Sequence, residues 1–148
     1  MYVYSFQNVA GALDHPLTGV FAFAGAGGLQ TGVGSVSIVM STEKTEHSVA
    51  ADGIVMISKI LGNNGIVTLE VQQTSDLDEW LLKTYNQVLI ATPDQWALMT
   101  ATIRDIVTGR SHNLFGMSFQ KLADQPYQRS GQVRHWPLMA ADIQTINA

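Results

Sequence analysis

Four histidines, two groups of carboxylates and a glycine-rich run are the residues of this chain whose types could do chemistry. His15, His47, His112 and His135 could ligate a metal or move a proton. None stands at a metal spacing such as H-x-H or H-E-x-x-H, so all four read as loop or strand-surface residues. Glu43, Glu46 and Asp52 imitate a cation site, but they share one loop-like stretch and lack the spacing of a calcium loop. Asp76, Asp78 and Glu79 could act as acid and base. Their place at a predicted helix start makes capping the expected role. The run Gly25–Gly34, GAGGLQTGVG, could cradle phosphate. It lacks a Gly-Lys-Ser/Thr end and misses the G-x-G-x-x-G spacing, so it reads as a connection. No serine sits in a G-x-S-x-G elbow. Trp80, Trp96 and Trp136 are expected in the core. No constellation supports catalysis, and the chain is expected to be no enzyme, with no metal and no cofactor.

The elements that carry these residues centre on Asn63–Leu89, NNGIVTLEVQQTSDLDEWLLKTYNQVL. Asn64-Gly65 is the signal of a type I′ hairpin turn. Val67, Leu69 and Val71 alternate with Thr68, Glu70 and Gln72, which predicts a strand with one apolar and one polar face. Thr74, Ser75 and Asp76 supply helix caps, with Ser75/Asp78 and Asp76/Glu79 at capping-box spacing. Leu77, Trp80, Leu81, Tyr85 and Val88 then form one apolar stripe of a helix.

Elsewhere the chain reads as strands. Tyr2, Tyr4 and Phe6 alternate in a strand at the N-terminus that Val9–Leu13 extends. Asp14–Gly19 is a turn, and Val20–Ala24 and Ser35–Met40 are strands. Ser41–Ala51 is a solvated loop or an arm reaching a neighbour. Ile54–Leu61 is expected to pair as a hairpin with the strand after Asn64-Gly65. Trp96–Val107 and Leu114–Leu122 form a second hairpin, with Phe115, Met117 and Phe119 on the apolar side and Ser118 and Gln120 on the polar one. Pro137 places Val133–Ala140 at an edge or makes it irregular. Ile143 and Ile146 finish a short tail. The sum is about seven or eight strands and one clear helix, a mainly β sandwich or barrel with a flanking α-helix.

The totals agree. The chain has 148 residues, which predicts one domain over 1–148 with a sizeable core. Only 14% of residues are charged, below the roughly 25% usual for globular proteins, so much of the surface is expected to be buried against other copies. The net charge of −4 and pI near 5.4 argue against a protein that grips nucleic-acid phosphate. They permit a surface that DNA slides past. There is no cysteine, hence no disulfide framework and no zinc-thiolate site. No run reaches membrane-spanning length and MYVYSFQN lacks signal-peptide features, so a cytoplasmic protein is expected.

The stretch GIVTLEVQQTSDLDEWLLKTYN resembles a segment of a bacteriophage tail-tube family, long known only as a phage structural protein of unknown function. The second half extends the resemblance. FQKLADQPYQRSGQVRHWPLMAADIQTI supplies Phe119, Lys121, Leu122, Asp124, Tyr127, Gly131, Trp136, Ala141 and Ile143 in the family's order. It departs with Ala123 in place of a proline and with Pro137-Leu138 after Trp136. Asp52-Gly53 and the opening Tyr-x-Tyr-x-Phe also resemble the family.

The resemblance implies a virion tail protein assembled in the host cytoplasm. Its hexameric rings would stack into a hollow tube, and each subunit would lend strands to a ring-wide barrel around the lumen. DNA would pass through without sequence-specific binding and without a membrane. The implied partners are further copies, a tail sheath, a tape measure protein, a baseplate and a tail terminator. On this reading Ser35, Ser37, Thr68, Glu70, Gln72, Ser118 and Gln120 are lumen-facing candidates. Gly27 and Gly28 in the glycine-rich run, and Glu43, Lys44, Glu46 and His47 in the arm, are candidates for contacts between subunits or rings. Two alternatives stand beside it. One is the tube of a phage-derived contractile particle or secretion device. The other is a monomeric β-barrel that binds a small ligand in a closed apolar pocket.

Overall fold

The computed structural model describes residues 3–24 and 32–147. The period of two in the central strand is realised without a slip. Along β6 (Gly65–Gln72), Val67, Leu69 and Val71 are fully buried while Thr68 and Glu70 are half-covered. The chain then turns into α1 (Asp76–Ile90), where Ser75 Oγ accepts from the Asp78 N–H at 3.2 Å, satisfying one orphan donor of the first turn. Leu77, Leu81 and Val88 are buried on its inner stripe. Trp80 and Tyr85 pack beside them.

Asp78 does not do the capping work expected of it. Its carboxylate is buried, accepting from Arg134 Nη1 in an ion pair and from Trp136 Nε1 at 3.0 Å. A carboxylate at zero exposure needs both a counter-charge and hydrogen bonds. The strand β9 (Val133–Ala140) supplies both and so ties the helix start to the sheet. Arg134 also lies 5.9 Å from the Tyr127 ring.

The other strands are β1 (Val9–His15), β2 (Gly19–Ala24), β3 (Val33–Met40), β4 (Thr45–Val49), β5 (Val55–Lys59), β7 (Met99–Asp105), β8 (Ser111–Phe119), β9 (Val133–Ala140) and β10 (Asp142–Ile146). The main sheet runs β2-β1-β7-β8-β9-β6-β3, with β10 also on β8. It folds into two layers that share β8, a sandwich-like, mainly β fold. The corner lies at Gly116, whose φ of +61° suits glycine. There the Ala141 N–H reaches the Phe115 and Gly116 carbonyls, and a Cβ on Gly116 would stand 2.9 Å from the Ala141 methyl.

The same corner explains a correction. Ala101 faces Leu114 but Met99 faces Met117, so β8 holds an extra residue. The bulge changes the parity. Leu114 points inward with Met117 and Phe119, and Phe115, expected on the apolar face, is exposed.

Four further expectations are revised. Val3–Ser5 form no strand and Phe6–Asn8 are a short 3-10 turn, so the first described strand begins at Val9; Tyr2 lies outside the described residues. Asn64-Gly65 is no type I′ turn, since no non-glycine residue among those described has positive φ. Gly65 is needed for closeness instead: a Cβ there would meet the Val39 carbonyl at 2.5 Å and Ile143 Cδ1 at 2.6 Å. The strand within Ile54–Leu61 pairs with β4, not with β6. And β9, with Pro137, is an inner strand bonded to β6 along its length. Pro137's carbonyl accepts from Gln120 N–H, so its missing N–H also faces the β8 side, just past that strand's end. The ladder to β6 loses nothing.

β7 and β8 also shift bounds while β9 keeps Val133–Ala140: β7 starts at Met99, after a 3-10 turn over Pro93–Gln95, β8 spans Ser111–Phe119, and the tail is a true strand. His15, expected on the surface, ends β1 buried, with Nδ1 accepting from Leu17 N–H at 3.1 Å.

Candidate assembly surfaces

The strand registers decide which polar residues share a face. Ser35 lies across from Glu70 and Glu70 across from His135; Ser37 lies across from Thr68 and Thr68 across from Pro137. Ser118 pairs with Met139, which pairs with Ile66. Gln72 continues the same parity. The β3-β6-β9-β8 layer therefore carries six of the seven lumen-facing candidates on its outer face, because side chains two apart in a strand point the same way, and Gln120 follows one residue past the end of β8 with its N–H on the Pro137 carbonyl. Ser35 Oγ donates to Glu70 Oε2 at 3.1 Å. The face is mostly short and polar, with one carboxylate and one imidazole in its central row. Toward β3's far end it turns apolar, with Val39, Ile66 and Met139.

The opposite layer has an outer face with a row of small and polar residues at its centre. Ala12 pairs with Ala22 and Thr102, and Asn113 pairs with Thr102 and Gln144.

The segment expected as loop or arm is a ribbon. Among the described residues β4 and β5 pair only with each other. Glu46 and His47 are exposed on β4, and Glu43 and Lys44 lie at its base. The ribbon interrupts the β3–β6 hairpin, since Met40 pairs with Gly65. Its base is pinned: Lys44 Nζ donates to the Gly62 carbonyl and to Asn63 Oδ1, and Thr42 Oγ1 donates to Asn64 Oδ1 at 2.5 Å. The ribbon also bears apolar residues that the sequence reading did not single out, Val49, Met56 and Ile57, each more than 60% exposed. Gly27 and Gly28 lie outside the described residues.

Two histidines have pKa values below the usual 6.5. Burial lowers His15, against the Asp14 charge and a hydrogen bond with the Gln95 backbone. Burial, then the Arg110 charge, lowers His112, whose Nδ1 lies 2.9 Å from Thr145 Oγ1. The largest clefts include one of about 310 Å³ between the layers, lined by Tyr4, Phe6, Val36, Ile38, Arg104 and His112. It is open and mixed in polarity, unlike the closed apolar pocket of a ligand-binding barrel. Among the described residues no cluster of His, Asp or Glu is arranged to hold a metal, and no helix is long and apolar enough to cross a membrane.

Known proteins bear the same architecture. The fold matches the anti-feeding prophage tube-terminating cap at a TM-score of 0.59 and 14% identity, covering 100% of this chain and 93% of that one. It matches the sheath/tube terminator of the PVC extracellular contractile injection system at 0.61 and 13%, covering 99% and 98%. A chain of the PVC sheath-tube complex matches at 0.58 and 13%, covering 99% and 93%. At these identities the likeness is one of fold. No curated protein matches the sequence. The family model described as "Bacteriophage PhiTE tail tube protein" matches residues 1–147. The chain thus belongs to the bacteriophage PhiTE tail tube protein family.

Proposed function

We propose that this chain is the repeating subunit of a phage tail tube. Six copies close a ring, rings stack into a hollow tube, and DNA passes through the lumen during ejection. The observation that carries this reading is that, among the described residues, β2 and β3 stand as open edges at the two ends of one long sheet. Such edges invite pairing with another chain, and ring closure removes them. A barrel built from strands of six subunits has a wide lumen. Rings stacked head to tail make a contact that does not close, and so a filament.

Ser35, Ser37, Thr68, Glu70, Gln72, Ser118 and Gln120 are the lumenal wall in this proposal. Short uncharged groups with a little acid repel phosphate mildly and give it nothing to grip. The arm, with Glu43, Lys44, Glu46 and His47, and the glycine-rich run with Gly27 and Gly28 contact other subunits or rings. A sheath, tape measure protein, baseplate and tail terminator complete the set of partners, in a virion tail assembled in the host cytoplasm. The role is structural rather than enzymatic.

The fold likeness to contractile injection system components supports a second reading, the tube of a phage-derived contractile particle. Neighbouring genes for capsid and DNA packaging separate the two. The proposal itself is tested by negative-stain imaging with sedimentation of the purified protein. Rings or hollow tubes of uniform width are expected. A species that stays monomeric at high concentration, even with baseplate components added as nucleus, overturns it.

A further inference from the structure

Among the described residues, the arm has an apolar face that is exposed and uncovered. Val49 lies opposite Val55 and His47 opposite Ile57 on that face, and Lys59 ends it opposite Thr45. Val49 and Ile57 are each 68% exposed. A lone two-stranded ribbon is marginal in water, so this face calls for a cover.

A surface of matching chemistry lies at the end of α1. Val88, Leu89, Ala91, Thr92, Pro93 and Trp96 line a groove of about 310 Å³. Asp94 stands in the 3-10 turn Pro93–Gln95 that forms its rim. The groove has the size and lining to take branched aliphatic side chains. Its rim charge is opposite to that of Lys59. Neither Asp94 nor Lys59 has an ion-pair partner among the described residues.

We propose that the Val49–Val55–Ile57 face of one subunit's arm docks into the Val88–Trp96 groove of a neighbouring subunit, with Lys59 beside that neighbour's Asp94. The inference rests on the tube reading and deepens it by naming which surfaces meet. A second copy is the occupant because each surface complements the other in both polarity and charge. The two patches differ, so the contact is heterologous and passes from copy to copy without using itself up.

The absence of cysteine makes the test clean. Thr92 makes no side-chain cap bond, so Thr92→Cys leaves its turn intact. Ile57→Cys with Thr92→Cys, oxidised under assembling conditions, should give a ladder of disulfide-linked species beyond the dimer. Each single variant should give no ladder. Lys59→Glu and Asp94→Lys should each raise the critical concentration for assembly at least about tenfold, and the double reversal should restore it. Circular dichroism of each variant checks that the fold is kept. Wild-type tubes with no ladder and no charge effect overturn the docking and leave the tube reading standing. A ladder that stops at the dimer overturns the head-to-tail contact. A wild type that never assembles overturns the tube reading, and the docking with it.

Discussion

At the residue scale the most consequential group is Asp78, which the spacing S-D-L-D presents as one more helix-start acid. Its burial makes Arg134 indispensable. Arg134→Ala leaves an uncompensated charge in the core and should cost about 3–5 kcal/mol in urea unfolding. A loss below about 1 kcal/mol, the size seen for exposed pairs, would contradict that account. His15 gives the fold a pH dependence. Its folded pKa lies below the unfolded value of 6.5, so the unfolded chain binds the extra proton first. The stability it contributes is present above pH 6.5 and is lost as pH falls through the folded pKa. Protonation also puts a hydrogen on Nδ1, where Leu17 N–H donates. His15→Gln should therefore flatten the fall in melting temperature on acidification; an unchanged slope would place the acid sensitivity elsewhere.

At the scale of elements, β6 and α1 were legible because periodicity alone selects their buried faces. Val67, Leu69 and Val71 could only point one way, and Leu77, Leu81 and Val88 could only lie on one stripe. What stayed hidden depended on contacts distant in sequence. Gly65 reads as a turn glycine, yet Val39 and Ile143, far away along the chain, are what forbid a side chain there. Pro137 reads as an edge signal, yet its missing donor faces the side where β8 has already ended. Gly116 shifts the parity of β8 by a bulge that no local pattern announces. The seven polar candidates were nominated strand by strand, and the registers bring six of them to one face. In the arm, the charges and the strand within Ile54–Leu61 are legible, while β4, its pairing with β5 and the apolar face are not. Because, among the described residues, β4 and β5 pair with no other strand, deleting Glu43–His47 should leave the melting temperature of the body nearly unchanged and block polymerisation. Normal tubes from that variant would reject the arm's role.

For the whole molecule, low charge, two open sheet edges and an uncovered arm are one property seen three ways. Among the described residues the single chain leaves these surfaces uncovered, which suits the proposed role of a subunit in a tail tube family. In the proposed tube, electrostatics set how the wall meets DNA. A Glu70→Lys ring would place six cations along the path of the DNA and should slow ejection and lower infectivity; unchanged infectivity would count against a lumenal Glu70. The most direct measurement is a cryo-electron microscopy reconstruction of the assembled protein. The account predicts sixfold rings stacked into a tube, with the Ser35–Glu70–His135 row on the channel wall. Rings of another symmetry, or that row on the outside of the tube, would contradict it.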